Sequence, residues 1–404
     1  MSASPWLSLI GIGEDGLAGL SGTAGLLIEQ AALVVGGPRH LEMVERSGKG
    51  RKLAWVSPIA ETLPEITRRR GDPVVVLASG DPFFYGIGNL LARSVAPGEM
   101  LVIPALSSVS LATARLHWPF EEISIISLCG RPIEGLAPLL QTGRRLLALS
   151  ADETTPAAVA GYLSQRGFGQ STIHVLERLG GKAERIRQTR ADQFNLPDIA
   201  RLNLLGIELA AGREAIIISV TSGLDDALFA HDGQLTKREI RAVTLSSLAP
   251  RAGERLWDIG CGSGSISTEW ALSHPANRAL AIEENGGRAA NAARNVTVLG
   301  VSRQVEIIHG HAPEALIDLA EPDAVFIGGG LRDGVLDAAW SRLKPAGRMV
   351  VNGVTLEAEA ALIEAYHRFG GDLTRLSVER LDRIGTMHGF RPAMTVLQWR
   401  AVKP

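Results

Sequence analysis

The chain has 404 residues, of which 46% are hydrophobic and 21% charged, and its formal net charge at pH 7 is −2. This length exceeds the ~250 to 300 residues that one hydrophobic core usually organises, so two or three domains are expected. The near-neutral charge argues against a nucleic-acid-binding protein, because such proteins carry a basic excess that neutralises phosphates.

Cysteine and histidine patterns exclude further classes. Cys129 and Cys261 are the only cysteines and lie far apart, so neither a disulfide framework nor a cysteine-based zinc site is expected. The nine histidines show no HExxH or paired-ligand spacing, which argues against a metal site. The N-terminus lacks the pattern of a cleavable signal, and no run of ~18 apolar residues follows. We therefore expect a cytoplasmic protein without membrane association.

The first half alternates short apolar strands with glycine-bearing turns. Residues 6–10 run into Gly-Ile-Gly-Glu-Asp-Gly, and the fully apolar run 74–78, typical of a parallel strand, ends in Ser-Gly-Asp-Pro. Pro82 fixes φ and Gly80 permits a tight bend, which presents Asp81 to a cleft. A third strand, 101–103, runs into Pro-Ala-Leu-Ser-Ser and a helix. The apolar run 215–220 predicts a last strand of this half.

These three segments, in this order, resemble the signatures of the tetrapyrrole (class III) methylase family. The turn 127–131 resembles that family's mid-chain Gly-Arg turn, and the match spans residues 5–222. It implies two α/β subdomains, about 1–119 and 120–222, with S-adenosylmethionine (SAM) in the cleft between them. The first loop departs from the commoner Gly-x-Gly-Pro-Gly form by its Glu14-Asp15. The positions implied for cofactor binding are Gly11, Gly13, Gly80, Asp81, Pro82, Ser107, Ser108 and Glu177.

A polar, glycine-bearing stretch, residues 223–235, predicts a linker to a second domain, 236–404. Thr236, followed three residues later by Glu239, has the pattern of a capping box and predicts a helix start. Residues 255–259 then form a buried strand that leads into a glycine-rich turn, and a second strand, 278–282, ends at Glu283. A carboxylate at that place can accept hydrogen bonds from a ribose diol. The pattern therefore predicts a nucleoside pocket at the carboxyl edge of a parallel sheet.

The acid before this turn, Asp258, would repel a pyrophosphate but suits the cationic amino-acid end of SAM. The stretch Asp-Ile-Gly-Cys-Gly-Ser-Gly resembles motif I of the Rossmann-like class I methyltransferases. After the third strand, that class usually carries an acid that accepts from the adenine amino group, and here His311 stands there. The positions implied for this second SAM site are Asp258, Gly260, Gly262, Ser263, Gly264, Glu283, His311 and Ala312.

The two halves in this order resemble a family of bifunctional methyltransferases of cobalamin biosynthesis. The resemblance implies two SAM sites per chain and methylation of precorrin-6B at C5 and C15, with decarboxylation of the C12 acetate, to give precorrin-8. It assigns C5 to the N-terminal half and C15 with the decarboxylation to the C-terminal half. The alternatives are the cobalt-containing precursor of the anaerobic route and another methyltransferase substrate.

A polycarboxylate macrocycle calls for cations at the rim of each cleft. The substrate-binding candidates are Arg131, Lys237, Arg241 and Arg391, and no catalytic acid or base is identified. Cys261 fits a packing residue better than a nucleophile, since its neighbours offer no base. We also expect a homo-oligomer and contacts with neighbouring pathway enzymes, with neither nucleic acid nor membrane as a partner.

Three rival functions are weaker. A nicotinamide oxidoreductase is disfavoured by Asp258, and an RNA methyltransferase by the 5% aromatic content and the negative charge. A regulatory SAM sensor would bind the cofactor without turning it over.

Overall fold

The computed structural model describes residues 5–331 and 334–404. Its chain divides into two compact units, Met1–Arg131 with Gln141–Ile216 and Pro132–Leu140 with Ile217–Pro404. In the described part, none of the helices is long and apolar enough to cross a membrane.

The first unit begins with a five-stranded parallel sheet. Its strands are β1 (Leu7–Ile12), β2 (Leu33–Gly36), β3 (Arg51–Ala54), β4 (Val74–Ser79) and β5 (Met100–Ile103), in the order β3-β2-β4-β1-β5. β1 and β2 are buried throughout, and β4 is buried except at its last residue, as expected of parallel strands with both faces covered. The accompanying helices are α1 (Gly22–Gln30), α2 (Pro38–Met43), α3 (Leu63–Thr67), α4 (Gly88–Leu91) and α5 (Ser108–Leu116).

A second, mixed sheet completes this unit. It contains β6 (Ile123–Ser127), β7 (Arg145–Leu149), β8 (Thr172–Glu177), β9 (Arg185–Arg190) and β10 (Asn203–Glu208), with α6 (Thr155–Gln165), in the order β6-β7-β10-β8-β9. The strand predicted over 215–220 is wrong. This segment is irregular, because the N–H of Ile216 bonds to the carbonyl of Arg166, at the end of α6, instead of joining a strand ladder.

The second unit is built on a seven-stranded sheet in the order β13-β12-β11-β14-β15-β19-β16. Its parallel part consists of β11 (Arg255–Ile259), β12 (Arg278–Glu283), β13 (Val305–His309), β14 (Ala324–Ile327) and β15 (Arg348–Gly353). β19 (Val396–Val402) runs antiparallel to β15 and to β16 (Asp372–Leu376). β17 (Glu379–Ile384) and β18 (Met387–Pro392) form a separate hairpin.

Helices cover both faces of this sheet. They are α7 (Arg238–Leu248), α8 (Ser265–Ser273), α9 (Gly286–Val298), α10 (Val335–Arg342) and α11 (Leu356–Phe369). Trp270 centres the core on one face, and Trp257 and Trp399 centre the core on the other. All three side chains are fully buried, so tryptophan packing fixes the helices on the sheet.

The segment that precedes α7 packs onto α8 and α9 within the second unit. The backbone N–H groups of Gly223 and Leu224 donate to the buried carboxylate of Glu269, and the side-chain amide of Asn295 exchanges two hydrogen bonds with the backbone of Ala230. Phe229 is also buried. The residues predicted as a linker are therefore held by polar and apolar contacts.

The start of α7 differs from the prediction. The N-cap is Lys237, whose side chain makes no capping bond in the described structure, and the helix begins at Arg238. Glu239 instead pairs with Arg380 of the hairpin. The capping-box prediction is therefore wrong, because a tertiary ion pair engages the carboxylate that the box would need.

Candidate cofactor sites

The second unit contains a cavity of about 720 Å³ at the carboxyl edge of its parallel strands. This size suits a nucleoside-containing ligand. The turn after β11, the ends of β12 and β15, and the hairpin all contribute to its wall. Among the lining residues are Lys237, Gly260, Cys261, Gly262, Ser263, Ile282, Glu283, Gly310, Ala312, Asn352, Arg380, Arg391 and Met394.

The glycine-rich turn requires its glycines. Gly260, Gly262 and Gly264 have φ of 68°, 57° and 71°, a region that other residues rarely adopt. A Cβ on Gly260 would lie 2.4 Å from the carbonyl oxygen of Gly329, whereas a Cβ on Gly262 would have no contact nearer than 3.9 Å. The turn is therefore packed tightly at its first glycine and leaves space for a ligand at its second.

Glu283 is held rigidly beside this turn. Its Oε2 accepts from the backbone N–H of Gly262 at 2.8 Å, and its Oε1 accepts from the N–H of Asn285 at 3.0 Å. Each carboxylate oxygen has lone pairs left over. Because Glu283 also lines the cavity, it can accept further hydrogen bonds from a diol there.

Asp258 lies near the end of β11, before the glycine-rich turn. It is fully buried and stands apart from the residues that line the cavity, with its Oδ2 accepting from the backbone N–H and the hydroxyl of Ser267 at 3.0 and 2.6 Å. Burial raises the pKa of Asp258 from 3.8 to about 6. Its Oδ2 therefore fastens the first turn of α8 to the strand end, whereas its buried Oδ1 has no hydrogen-bond partner in the described structure, and its role in cofactor binding stays a prediction.

Cys261 lines the cavity, and burial raises the pKa of its thiol well above the usual value. The thiol is thus protonated at neutral pH, which makes it a poor nucleophile.

The turn after β13 contributes backbone more than side chain. Gly310 and Ala312 line the cavity. The ring of His311 instead turns to the carboxylate of Glu284, with Nδ1 3.0 Å from Oε2, and its side chain is 65% exposed. His311 therefore stands outside the cavity wall, contrary to its predicted role.

The cationic candidates separate into cavity and core residues. Lys237 and Arg391 line the cavity, whereas Arg241 is fully buried and donates to Glu269 at 2.5 Å and to Asp226 at 3.1 Å. A guanidinium so enclosed has no surface for a substrate, and the substrate-binding prediction for Arg241 is wrong. Lys237 has no ion-pair partner among the residues that the structure describes.

Sequence reasoning missed Arg380, which lines the same cavity. It lies directly opposite Arg391 in the β17–β18 register, so both side chains lie on one face of the hairpin. Arg380 pairs with Glu239, and Arg391 pairs with Asp382 at 3.0 Å. The alternation of Arg-Leu-Asp-Arg along β17 was the available signal, but it needed the register to be read.

In the first unit, three predicted turns meet at the carboxyl edge of β1, β4 and β5. A Cβ on Gly11 would lie 1.9 Å from the carbonyl oxygen of Gly80, and the N–H of Ala105 donates to that same oxygen at 3.1 Å. Gly80 itself, at φ 57°, lies against Ser107. The structure therefore brings these turns together as backbone in close contact.

The side chains of these turns mostly satisfy their own backbone. The Asp81 Oδ1 accepts from the N–H of Phe83 at 2.8 Å, and the hydroxyl of Ser107 caps α5 by accepting from the N–H of Ser110 at 3.1 Å. The other predicted positions in these turns are Gly13, Pro82 and Ser108. The guanidinium of Arg131 lies over the ring of Tyr85, 4.8 Å from its centroid.

Glu177 is not placed to bind a ligand. Its side chain is 1% exposed and pairs with Arg185 at 2.7 Å and with Arg187 at 3.1 Å, while its Oε1 also accepts from the N–H of Ala200. Arg185 is the main partner that holds the pKa of this carboxyl below its usual value, against the opposing effect of burial. Its prediction as a cofactor residue is corrected, because it ties β8 to β9.

A polar cluster near the first turns escaped the sequence analysis. Arg39 pairs with Glu14 and donates to the hydroxyl of Ser79 at 3.2 Å, and His40 lies 3.0 Å from that hydroxyl. Burial, with a smaller effect of Arg39, lowers the pKa of His40 to about 4, so its ring is neutral at pH 7. Both residues lie in the first turn of α2, shortly after β2, and this position is where a sequence signal could have been read.

Within residues 5–331 and 334–404, no group of three or more metal-ligating side chains is assembled.

Two family models match the chain. Residues 7–195 match the tetrapyrrole (corrin/porphyrin) methylases, and residues 227–403 match a precorrin methyltransferase domain.

Individual relatives extend this picture. A precorrin-6Y C(5,15)-methyltransferase [decarboxylating] from a Sinorhizobium species is 49% identical over 99% of this chain and 97% of its own length. A probable cobalt-precorrin-6B C(15)-methyltransferase (decarboxylating) from Pyrobaculum calidifontis is 37% identical over 41% of this chain and 88% of its own. A cobalt-precorrin-7 C(5)-methyltransferase from Salmonella typhimurium is 30% identical over 45% of this chain and 88% of its own.

Proposed function

The chain belongs to the family of decarboxylating precorrin-6Y C(5,15)-methyltransferases, and we infer that it methylates a corrin precursor at C5 and C15 with loss of carbon dioxide. It is a SAM-dependent methyltransferase with the α/β architecture of a tetrapyrrole methylase followed by a class I methyltransferase domain. The metal-free substrate, precorrin-6B, is favoured over its cobalt-containing counterpart because the full-length relative is named for a precorrin.

One observation in the structure supports this function above the others. The glycine turn and Glu283 converge on a single cavity, and the N–H of Gly262 joins them at 2.8 Å. The residues present fit SAM. The carboxylate of Glu283 suits the ribose diol, and the open space at Gly262 leaves room for the ligand beside the turn. Gly310 and Ala312 offer an uncharged part of the wall to the adenine.

When bound, SAM supplies a strongly electrophilic methyl group on its sulfonium. The protein therefore has mainly to orient the acceptor carbon and exclude water. The Cys261 thiol, protonated by burial, leaves the methyl group to the substrate instead of competing for it. Alignment of the acceptor carbon within the cavity is thus the expected source of rate enhancement.

We propose a second SAM site in the first unit, formed around Gly11, Gly80 and Ser107 with their neighbours Gly13, Asp81, Pro82 and Ser108. The close backbone contact of the three turns supports it. Under this proposal, residues 1–222 methylate C5 and residues 236–404 methylate C15 and direct the decarboxylation. Separate relatives named for C5 and for C15, each covering less than half of this chain, support that division.

The substrate carries several carboxylates, and the cavity rim of the second unit offers cations to receive them. Lys237, Arg380 and Arg391 all line it. Charge-assisted hydrogen bonds to carboxylates are among the stronger polar contacts in proteins, so this rim suits an anionic macrocycle. In the first unit, Arg131 is the corresponding candidate.

The predicted homo-oligomer, cytoplasmic location and contact with neighbouring pathway enzymes belong to the same proposal. Leu381 and Phe390 face each other across the hairpin register and are 63% and 69% exposed, which favours self-association. A monomer in analytical ultracentrifugation at working concentration would contradict the oligomer.

The function is tested by incubating the full chain with precorrin-6B and methyl-labelled SAM. Mass spectrometry should show a product that has gained two labelled methyl groups and lost one carbon dioxide. A product with methyl groups but with every carboxylate retained would contradict the decarboxylating function.

A further inference from the structure

A buried polar network reaches the cavity of the second unit at Asn352, the residue before the last of β15. Its Nδ2 donates to the hydroxyl of Thr244 at 2.9 Å, and its Oδ1 accepts from Nε2 of Gln398 at 2.9 Å. The Oε1 of Gln398 in turn accepts from the hydroxyl of Ser247 at 2.7 Å. Thr244 and Gln398 are 0% and 3% exposed, so buried side chains hold Asn352, which is itself half-buried at the cavity wall.

The network fixes which way the Asn352 amide points. Thr244 has one hydroxyl hydrogen, which it donates to the carbonyl of Ile240 at 2.8 Å, so towards both amides it can only accept. Reversing both amides would leave the hydroxyl of Ser247 without its acceptor and would set the single hydrogen of Thr244 against two oxygens. Buried polar groups strongly favour the arrangement that satisfies them all.

This orientation leaves one Nδ2–H of Asn352 uncommitted. Within the described residues, the network uses only the other Nδ2–H, and Asn352 lines the cavity. The chain therefore presents a fixed, uncharged hydrogen-bond donor to whatever occupies that part of the cavity.

Asn352 lies two strands away from the strand that ends in the glycine turn. β15 is separated from β11, which ends in the glycine turn, by β14. Two strand spacings correspond to roughly 10 Å. Asn352 is thus displaced from the cofactor turn, and Arg380 and Arg391 of the hairpin line the same cavity.

We propose that Asn352 is a substrate-positioning residue, whose free amide N–H binds a carboxylate oxygen of the corrin precursor during the C15 methylation and decarboxylation. Gln398 acts through it, by holding the amide in the donating orientation. This inference rests on the proposed function. A single N–H has one axis, so a neutral donor fixes the direction from which the substrate carboxylate approaches. The flexible cations nearby act mainly as point charges and impose no such direction.

The test uses the full chain and measures carbon dioxide release from precorrin-6B, with calorimetric titration of each variant with SAM as the control for an intact cofactor site. Asn352→Asp keeps the size of the side chain but replaces the donor by an anion, and should raise the KM for carbon dioxide release at least roughly tenfold. The kcat and the affinity for SAM should change little. Asn352→Ala, which lacks the added charge, should raise the KM by a smaller factor.

A second pair of variants lies outside the cavity wall. Gln398→Glu removes the donor that holds the Oδ1 of Asn352, so the amide turns over and shows its oxygen to the substrate, with a rise in KM of roughly tenfold. Ser246→Ala, at an exposed neighbouring position of α7 outside the network, is the control and should leave the KM unchanged.

The outcomes distinguish failure of the positioning role of Asn352 from failure of the proposed function. Wild-type KM in both Asn352→Asp and Gln398→Glu, with normal release of carbon dioxide, would overturn the positioning role and leave the proposed function standing. Failure of the wild-type chain to release carbon dioxide would overturn the function itself, and this inference with it.

Discussion

The backbone N–H of Gly262 donates to the carboxylate of Glu283 at 2.8 Å, joining the glycine turn to the neighbouring strand end. This bond holds both the glycine turn and the Glu283 carboxylate in place. The carboxylate keeps further lone pairs that face the cavity. A ligand that bonds to Glu283 therefore meets an acceptor that needs no rearrangement.

The first prediction concerns this carboxylate. Glu283→Gln should weaken SAM binding at the second unit by roughly tenfold or more, because a charged acceptor is replaced by a neutral one. Titration calorimetry measures the change. Glu306→Gln, a matched substitution at an exposed position on β13, should bind SAM like the wild type. Equal SAM affinities of the Glu283 variant and the wild type would remove Glu283 from the cofactor site.

The second prediction is a pH dependence that originates in Asp258. Burial raises its pKa from 3.8 to about 6, so the folded protein holds this proton more tightly than the unfolded chain does. The carboxyl therefore favours folding below about pH 4, and stability falls as the pH rises from 4 to 6, by about 3 kcal/mol in total.

Asp258→Asn should abolish this contribution. The difference in unfolding free energy between variant and wild type should shift in favour of the variant between pH 4 and 6 and stay constant above pH 7. Urea denaturation at a series of pH values measures it. A pH-independent difference would show that the carboxyl titrates alike in the folded and unfolded states.

The third prediction concerns the buried ion pair of Arg241 and Glu269, in which Nε of the arginine lies 2.5 Å from Oε1 of the carboxylate. Arg241→Met leaves a buried carboxylate without its countercharge, and should destabilise the second unit by about 3 to 5 kcal/mol. The KM for the macrocycle should hold, since the guanidinium is enclosed. Arg238→Met, at an exposed position one turn earlier in α7, is the matched control, with little effect on thermal unfolding. A raised KM with unchanged stability in Arg241→Met would restore the role in substrate binding.

The fourth prediction concerns the junction between the halves. A chain of residues 217–404 retains Leu224 and Phe229, which are 2% and 4% exposed, whereas a chain of residues 236–404 lacks both. The shorter chain should be less stable by about 4 kcal/mol, from the loss of two buried apolar side chains. Thermal denaturation of the two purified fragments measures it. Equal melting temperatures would show that 223–235 is only a connector.

Much of the fold could be predicted from local sequence. The fully apolar run 74–78 predicted a parallel strand covered on both faces, and β4 is one. Glu283 lies on the cavity wall, as expected of a side chain at a strand end, and its role in cofactor binding stays a prediction.

The remaining features depend on contacts between distant segments. Lys237 and Arg241 both carry a positive charge, so the sequence does not distinguish them. Lys237 lines the cavity and Arg241 lies in the core, and this difference depends on how α7 packs against α8. Arg380 and Asn352 could not be found, because each owes its place to strand register, with Arg391 and with Gln398 respectively. The residue pattern within one strand does not by itself give the register of such pairings.

The central claim is that one chain holds two SAM sites of different construction, and calorimetric titration of the full chain with SAM tests it most directly. The account predicts two equivalents bound by the wild type and one by Gly262→Val, whose added side chain is strained at φ 57° and projects into the open space of the second unit. A single equivalent bound by the wild type, or two bound by the Gly262→Val chain, would contradict it.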